Sequence, residues 1–222
     1  HYRHERGNPN ALASDFIRDL DVAEDGTLWI ETDGGGVSRW DPATDSIRNF
    51  RHAEGYGRSL ATDEIRTILA GDDGYVWIGT RDSGLDRLNT ATNEVTHFVS
   101  RADDSASLSS NEVFALALDG KGSLWVGVRG GLNRLELASG RITRFKPMSS
   151  GTPNFADTVI RSLFISSDNM LWVGTERSGL MAIDPETGAV RSYVHDSAVP
   201  TSLSSNMVAS IFEDDRNRLW VG

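Results

Sequence analysis

Three arginines at corresponding places in a repeated pattern offer the clearest chemistry in this sequence. They are Arg18, Arg66 and Arg161, and each directly follows an isoleucine. A guanidinium group binds a carboxylate or a sulfate through two parallel N–H donors, so a cluster of such groups could hold an acidic ligand. The alternative is that each arginine pairs with an acidic residue of a neighbouring repeat.

Five further candidates lie in polar segments between apolar runs, where binding residues are commonly found. Arg81 and Asp82 follow one such run, and Glu176 and Arg177 follow another. Tyr56 has no aromatic counterpart in the other repeats, and it could stack on a sugar or simply face solvent. The predicted ligand-binding residues are therefore Arg18, Tyr56, Arg66, Arg81, Asp82, Arg161, Glu176 and Arg177.

A repeat of about 48 residues must position these side chains. Its most regular residue is a tryptophan, with spacings of 48, 48, 47 and 48 residues along the series Trp29, Trp77, Trp125, Trp172 and Trp220. A fixed period of this length is typical of repeat arrays. The regular placement favours packing between repeats over sugar stacking. The shorter spacing comes from a deletion just after Trp125, in a predicted loop, where a change of length is tolerated.

Each repeat contains four short strand-like segments, which we call a, b, c and d. In the second repeat they are Glu64–Ala70, Tyr75–Thr80, Leu85–Asn89 and Glu94–Val99. Acidic or glycine-containing turns, such as Asp72 to Gly74, separate a from b and suit hairpins because they tolerate positive φ. They lack the ligand spacing of calcium loops. Repeated four-stranded antiparallel units predict an all-β fold, a β-propeller in which each repeat is one blade.

The blade topology predicts where the candidate residues lie. In an up-and-down blade the b–c and d–a loops share one end of the sheet, and strand a lines the central channel. Corresponding positions on strand a converge on the axis of the propeller. We therefore expect the three arginines near the channel and the loop candidates around its mouth, a common place for binding on a rigid scaffold. No cofactor is predicted.

Three short phrases link the chain to a known family. They are Leu171–Thr175, Ser178–Leu180 and Ser202–Asn206. They resemble the regulator-propeller repeat of bacterial two-component and cyclic-di-GMP sensors. The resemblance implies a periplasmic sensor, joined through the inner membrane to a histidine kinase or a diguanylate cyclase, with a propeller that often has seven blades. Together with the arginines it favours an anionic oligosaccharide as ligand. The first repeat departs from the pattern, because Glu31 replaces the glycine found at Gly79 and Gly174.

The histidines bear on whether the chain is an enzyme. A lyase similar to the streptogramin-inactivating propellers would need a histidine and an acid near the axis, usually with a divalent metal. All five histidines fall on or beside strand d, at the outer rim: His1, His4, His52, His97 and His195. His4, His52 and His195 lie at matching places of different blades and cannot converge, so no metal site is predicted. We expect no catalysis, and a purely structural scaffold is the third interpretation.

The repeat register also predicts the organisation of the chain. Residues 1–14 match the end of a preceding blade, and residues 206–222 match a truncated one. The whole blades are expected at residues 15–62, 63–110, 111–157 and 158–205. Tyr2–Glu5 matches strand d of the preceding blade. The sequence thus predicts part of a larger ring, with apolar surface on its first and last blades that is either exposed or covered by self-association.

Charge and composition exclude some classes of partner. The chain has 22 Lys and Arg against 32 Asp and Glu, a net charge of −10. An acidic surface argues against nucleic acid, whose phosphates require lysine and arginine for neutralisation. No apolar run approaches the roughly 20 residues that a membrane helix needs, and no signal peptide is recognisable. The sequence has no cysteine, which removes disulfides and thiolate metal sites from consideration.

Overall fold

The computed structural model describes residues 1–71, 73–146, 155 and 158–222. Within these residues the secondary structure consists of antiparallel β-sheets without an α-helix, and no helix there is long and apolar enough to cross a membrane. The predicted all-β fold class is confirmed. Asp72 of one predicted a–b turn, and most of residues 147–157 at the end of the predicted third blade, lie outside the described residues.

Strands pair in chain order in five sheets of the described chain. The first sheet holds β1 Ile17–Val22, β2 Leu28–Thr32, β3 Gly36–Asp41 and β4 Ser46–Phe50. The second holds β5 Ile65–Ala70, β6 Tyr75–Thr80, β7 Leu85–Asn89 and β8 Val95–Phe98. The third holds β9 Val113–Leu118, β10 Ser123–Val128, β11 Gly131–Glu136 and β12 Ile142–Arg144. The fourth holds β13 Ile160–Ile165, β14 Leu171–Thr175, β15 Leu180–Ile183 and β16 Val190–Tyr193. The fifth has only β17 Ile211–Glu213 and β18 Leu219–Val221.

The strands agree with the predicted segments a to d because the residues within each turn determine where the flanking strands end. Every a–b turn has a residue with positive φ at the same place: Gly26, Gly74, Gly122, Asn169 and Asn217, at 80°, 79°, 96°, 64° and 56°. Glycine and asparagine adopt this conformation at low cost. One expectation is wrong, because Tyr2–Glu5 forms no strand and His4 only bridges Leu12.

The described residues divide into two compact units. Unit 1 contains His1–Val99 with Asn111–Val113, and unit 2 contains Ser100–Ser110 with Phe114–Gly222. The first and second sheets belong to unit 1. The third sheet, apart from Val113, and the fourth and fifth sheets belong to unit 2.

Tryptophans of strand b fill the space between neighbouring sheets within each unit. In unit 1, Trp29 of the first sheet packs in one cluster with Ile65 and Ile68 of the second. In unit 2, Trp125 of the third sheet packs with Ile160 and Val173 of the fourth. The prediction that the tryptophans serve packing between repeats is confirmed for these residues.

Glycines two residues after the tryptophans allow the sheets to approach closely. A Cβ added at Gly127 would lie 2.5 Å from Cγ2 of Ile160, which begins strand a of the next sheet. A Cβ added at Gly174 would lie 2.7 Å from Cγ1 of Val208. Any side chain at these places must therefore push the next strand a away.

Burial of the tryptophans depends on whether another sheet covers them. Trp29, Trp77 and Trp125 are at most 1% exposed, and Trp172 is half-buried. Trp220 is 54% exposed, so the expectation of burial was wrong for this residue. Exposed apolar side chains also occur where they were expected, at Leu20 and Val22 of the first sheet and Phe212 of the last.

We predict that Trp77→Ala destabilises the chain by roughly 3–5 kcal/mol, because removal of a fully buried indole leaves a cavity in the core. Trp220→Ala is the matched control, since it has the same sequence surroundings but an exposed ring. We expect its cost to be about 1 kcal/mol or less. Urea unfolding followed by circular dichroism measures both. Equal losses in the two variants would contradict the packing role of Trp77.

Candidate functional site

The d–a loops are held by a repeated set of hydrogen bonds that use histidine. The backbone N–H of His52 donates to Oδ1 of Asp63 at 2.7 Å, and its Nδ1 lies 2.8 Å from the carbonyl oxygen of Leu60. The same two contacts recur for His4 with Asp15 and Leu12, and for His195 with Asn206 and Leu203. Because a carbonyl oxygen can only accept, Nδ1 of these rings carries the proton. The three histidines therefore fix loop geometry, and the described residues hold no group of side chains suited to a metal.

Among the described residues, His97 is the one histidine whose ring contacts a carboxylate. Its Nδ1 lies 2.6 Å from Oδ1 of Asp86, and its Nε2 lies 3.2 Å from the carbonyl oxygen of Gly57. The other carboxylate oxygen of Asp86 accepts the N–H of Ala61 at 2.8 Å. The hydrogen bond to Asp86 raises the pKa of His97. Since both ring nitrogens are engaged, the pair holds the d–a loop and has no free nitrogen for proton transfer.

In two other sheets, a polar residue at the position of Asp86 also accepts a hydrogen bond from a backbone N–H of the d–a loop. Oγ of Ser38 accepts the N–H of Ala13 at 3.4 Å in the first sheet, and Oδ1 of Asn133 accepts the N–H of Ser109 at 3.0 Å in the third. All three residues are buried. The sequence analysis missed them, although polar residues at matching places of an apolar strand c were a visible signal.

In unit 1 the predicted arginines form ion pairs at the loop end of the sheets. Nη2 of Arg18 lies 2.8 Å from Oδ1 of Asp33, in the b–c loop of the same sheet. Arg66 lies 3.8 Å from Glu112, just before β9. Arg81 lies 3.5 Å from Glu64, just before β5. The pairs Arg18–Asp33 and Arg81–Glu64 are exposed, and exposed pairs of this kind contribute little to stability.

In unit 2 the structure brings Arg161 and Glu176 together. Nη2 of Arg161 lies 2.5 Å from Oε1 of Glu176. The hydrogen bond from Arg161 lowers the pKa of Glu176, and the charges of Arg177 and Arg129 act in the same direction. The guanidinium groups of Arg161 and Arg129 also lie 5.2 Å and 5.7 Å from the ring centre of Phe114. Phe114 and Arg129 were not among the predicted site residues, although Phe114 occupies the place of Arg18 and Arg66.

Two predicted residues stand apart from these pairs. Tyr56 is 58% exposed on its loop, and its side chain has no recorded hydrogen bond in the described part of the chain. Asp82 accepts a hydrogen bond from Oγ of its neighbour Ser83 at 2.9 Å. The proposed binding role of these two, like that of the other six residues, stays a prediction.

Glu31 is an unusual residue in the first sheet. It lies on β2 opposite Asp19 of β1, it is fully buried, and neither carboxylate oxygen has a hydrogen-bond partner. Burial, reinforced by the negative charges of Asp19, Asp33 and Glu64, raises its pKa to about 7 against the opposing effect of Arg18. Its replacement of the repeat glycine was visible in the sequence, but its environment was not.

Comparison with known proteins identifies the repeats. Four-stranded sheets joined in chain order define a β-propeller fold. The family model of the two-component regulator propeller matches residues 59–82, 107–130 and 202–222. The match bears out the resemblance to this family, and the phrase Ser202–Asn206 lies within the last matched segment. Among proteins of curated function, none shows significant sequence similarity to the chain.

Solved structures support the fold. An extracellular domain attributed to a hybrid two-component system of Bacteroides thetaiotaomicron superimposes with a TM-score of 0.78 at 22% identity, covering 99% of this chain and 27% of that one. A second such domain from the same species gives 0.72 at 19% identity, covering 100% and 34%. Virginiamycin B lyase from Staphylococcus aureus gives 0.68 at 16% identity, covering 93% and 62%. The chain therefore has the fold of a propeller and spans about a third or less of the extracellular domains.

We predict that the stabilising effect of His97 depends on pH. Its pKa is raised in the folded chain, so its contribution is complete below the unfolded value of 6.5 and is lost as the pH rises through the folded value. The difference in unfolding free energy between the wild type and His97→Gln should therefore shrink from pH 6 upward. Urea unfolding across this range measures it, and a difference that does not change with pH would contradict the pair.

Proposed function

We propose that this chain is part of an extracytoplasmic sensory module of a bacterial signal-transduction receptor, and that it binds a ligand without catalysing a reaction. The observation that carries the proposal is the presence of two-component regulator propeller repeats in a chain that shares its fold with extracellular domains of hybrid two-component systems. The receptor would lie in the inner membrane and expose this module to the periplasm.

The ligand would contact the loop end of the sheets through the arginines and their acidic partners. Arg161 and Glu176 illustrate the principle, because a carboxylate of the ligand can replace Glu176 while Arg161 keeps its charge-assisted hydrogen bonds. The exposed pairs Arg18–Asp33 and Arg81–Glu64 can exchange in the same way. Tyr56, Arg66, Asp82 and Arg177 complete the proposed surface.

An anionic oligosaccharide fits this surface best. Repeated guanidinium groups suit a ligand that carries several carboxylates or sulfates along its length. The net charge of −10 would repel such a ligand from the rest of the chain, so binding would depend on these arginines.

The histidine contacts do not favour the alternative of a propeller lyase. His4, His52 and His195 hold loop carbonyl groups, and His97 is engaged through both ring nitrogens. Sequence identity with virginiamycin B lyase is 16%, which concerns the fold alone. A structural scaffold without a ligand is the remaining alternative.

We predict that Arg161→Ala weakens binding of an acidic oligosaccharide, with oligogalacturonate as the probe, by about ten-fold or more, because a charge-assisted hydrogen bond is lost. Arg66→Ala should act in the same direction, and the double variant should bind more weakly than either. Glu176→Ala should bind as well as or better than the wild type, since the internal competitor is removed. Isothermal titration calorimetry measures all four.

Arg141→Ala is the matched control, because Arg141 forms an exposed ion pair with Glu136 near the opposite end of the third sheet. It should leave the affinity unchanged. Equal affinities in the Arg161, Arg66 and Arg141 variants would remove the arginines from the site. If the wild type binds neither oligogalacturonate nor a sulfated oligosaccharide, the scaffold alternative stands.

A further inference from the structure

Glu31 lies two residues after the tryptophan of strand b, at the position that is glycine in the second, third and fourth sheets. In the second and fourth sheets Gly79 lies opposite Thr67, and Gly174 lies opposite Ser162. In the first sheet Glu31 lies opposite Asp19. A carboxyl group is therefore enclosed where the other sheets have only hydrogen, at the contact between the first sheet and β5.

The enclosure leaves the carboxyl group without donors. Glu31 is 0% exposed, and both of its oxygens lack a hydrogen bond. An ionised carboxylate in such a place loses its hydration and gains no hydrogen bond in return, which is strongly unfavourable. The group must therefore stay protonated, or the contact must open so that water reaches it.

The charged groups around Glu31 do not offer it a partner. Arg18 and Asp19 come from β1, and Arg18 is already paired with Asp33 at 2.8 Å. Glu64 precedes β5 and is paired with Arg81 at 3.5 Å. On β5 itself, Arg66 lies 3.8 Å from Glu112. On β3 the residue opposite Glu31 is the apolar Val37. Three carboxylates thus oppose the ionisation of Glu31, and Arg18, whose charge favours ionisation, is shared with Asp33.

The same contact contains two hydrogen bonds that can report its state. The N–H of Ile68 donates to Oδ2 of Asp19 at 3.0 Å, and the N–H of Ala70 donates to Oδ2 of Asp21 at 2.7 Å. Both donors lie on β5 and both acceptors on β1. We call this contact, with Glu31, the β1–β5 joint. Separation of the two strands would expose both N–H groups to exchange with water.

We propose that Glu31 makes the β1–β5 joint a proton-dependent element: the joint is closed while the carboxyl group is protonated and loosens when it ionises. This function is separate from the binding of a ligand at the arginines. In a compartment whose pH follows the surroundings, the joint would make the arrangement of the first two sheets respond to acidity near neutral pH.

The direction of the effect follows from the raised pKa. The pKa of Glu31 is about 7 in the closed joint, and we expect the ordinary value of 4.5 once opening lets water reach the carboxyl group. The stabilisation is complete below pH 4.5 and is lost as the pH rises through about 7. Between pH 6 and pH 8 the equilibrium constant for closing should therefore fall about ten-fold.

Amide hydrogen exchange of the full chain, read by NMR as protection factors, tests the proposal. In the wild type, protection of the Ile68 and Ala70 amides should fall about ten-fold from pH 6 to pH 8. In Glu31→Gln, which keeps the shape but cannot ionise, it should stay constant. The Val208 amide, which donates to the carbonyl oxygen of Thr175 at 2.8 Å beside Gly174, is an internal control and should not change. The same fall in the wild type and in Glu31→Gln would overturn the proposal, as would no fall in the wild type.

A direct titration keeps the test decisive if Glu31→Gln does not fold. Carbon-13 labelling of glutamate carboxyl groups in the wild type should show one resonance with an apparent pKa near 7. Glu31→Gly, which restores the residue of the other sheets, assigns this resonance by its disappearance. A Glu31 resonance that titrates near the ordinary value of 4.5 would refute the proton-dependent joint.

Discussion

Close approach of neighbouring sheets is the constraint on which the rest of this structure depends. A single four-stranded sheet cannot bury its own tryptophan, so Trp29 relies on the second sheet and Trp125 on the fourth. The approach is close enough that strand b carries glycine beside strand a of the next sheet, as Gly127 does beside Ile160. Stability is therefore shared between neighbours, as in other repeat proteins. Trp220 of the two-stranded fifth sheet is exposed, in contrast to the buried Trp29 and Trp125.

This constraint separates the parts of the chain that are free to vary from those that are not. Strand faces are committed to packing, and the d–a loops are fixed by histidine and by buried polar residues such as Asp86. Charged side chains accumulate at the b–c loops of the same end, where Arg18 pairs with Asp33 and Arg161 pairs with Glu176. A rigid base with exchangeable surface ion pairs is a suitable arrangement for ligand binding, because little ordering is required on association.

Glu31 shows what happens when one repeat departs from the shared pattern. In the other sheets, glycine at this position allows two neighbouring sheets to approach closely. In the first sheet the carboxyl group of Glu31 is buried at this position without hydrogen bonds. The buried Asp86 differs in this respect, because the N–H of Ala61 and Nδ1 of His97 donate hydrogen bonds to its carboxylate. Because Glu31 has no such donor, the proposed β1–β5 joint depends on the protonation of its carboxyl group.

The sequence by itself determined the repeat, the order of strands and turns, and the all-β fold, because tryptophan spacing and positive-φ turns such as Gly74 and Asn169 act locally. It also singled out Arg161 and Glu176, which the structure joins. Only the tertiary structure decided which acid pairs with each arginine, and that Glu31 is buried without a partner. Those outcomes depend on the separation between two packed sheets, which must be known to within the length of one side chain. Residues far apart in the sequence determine this separation together, so no local sequence pattern predicts it.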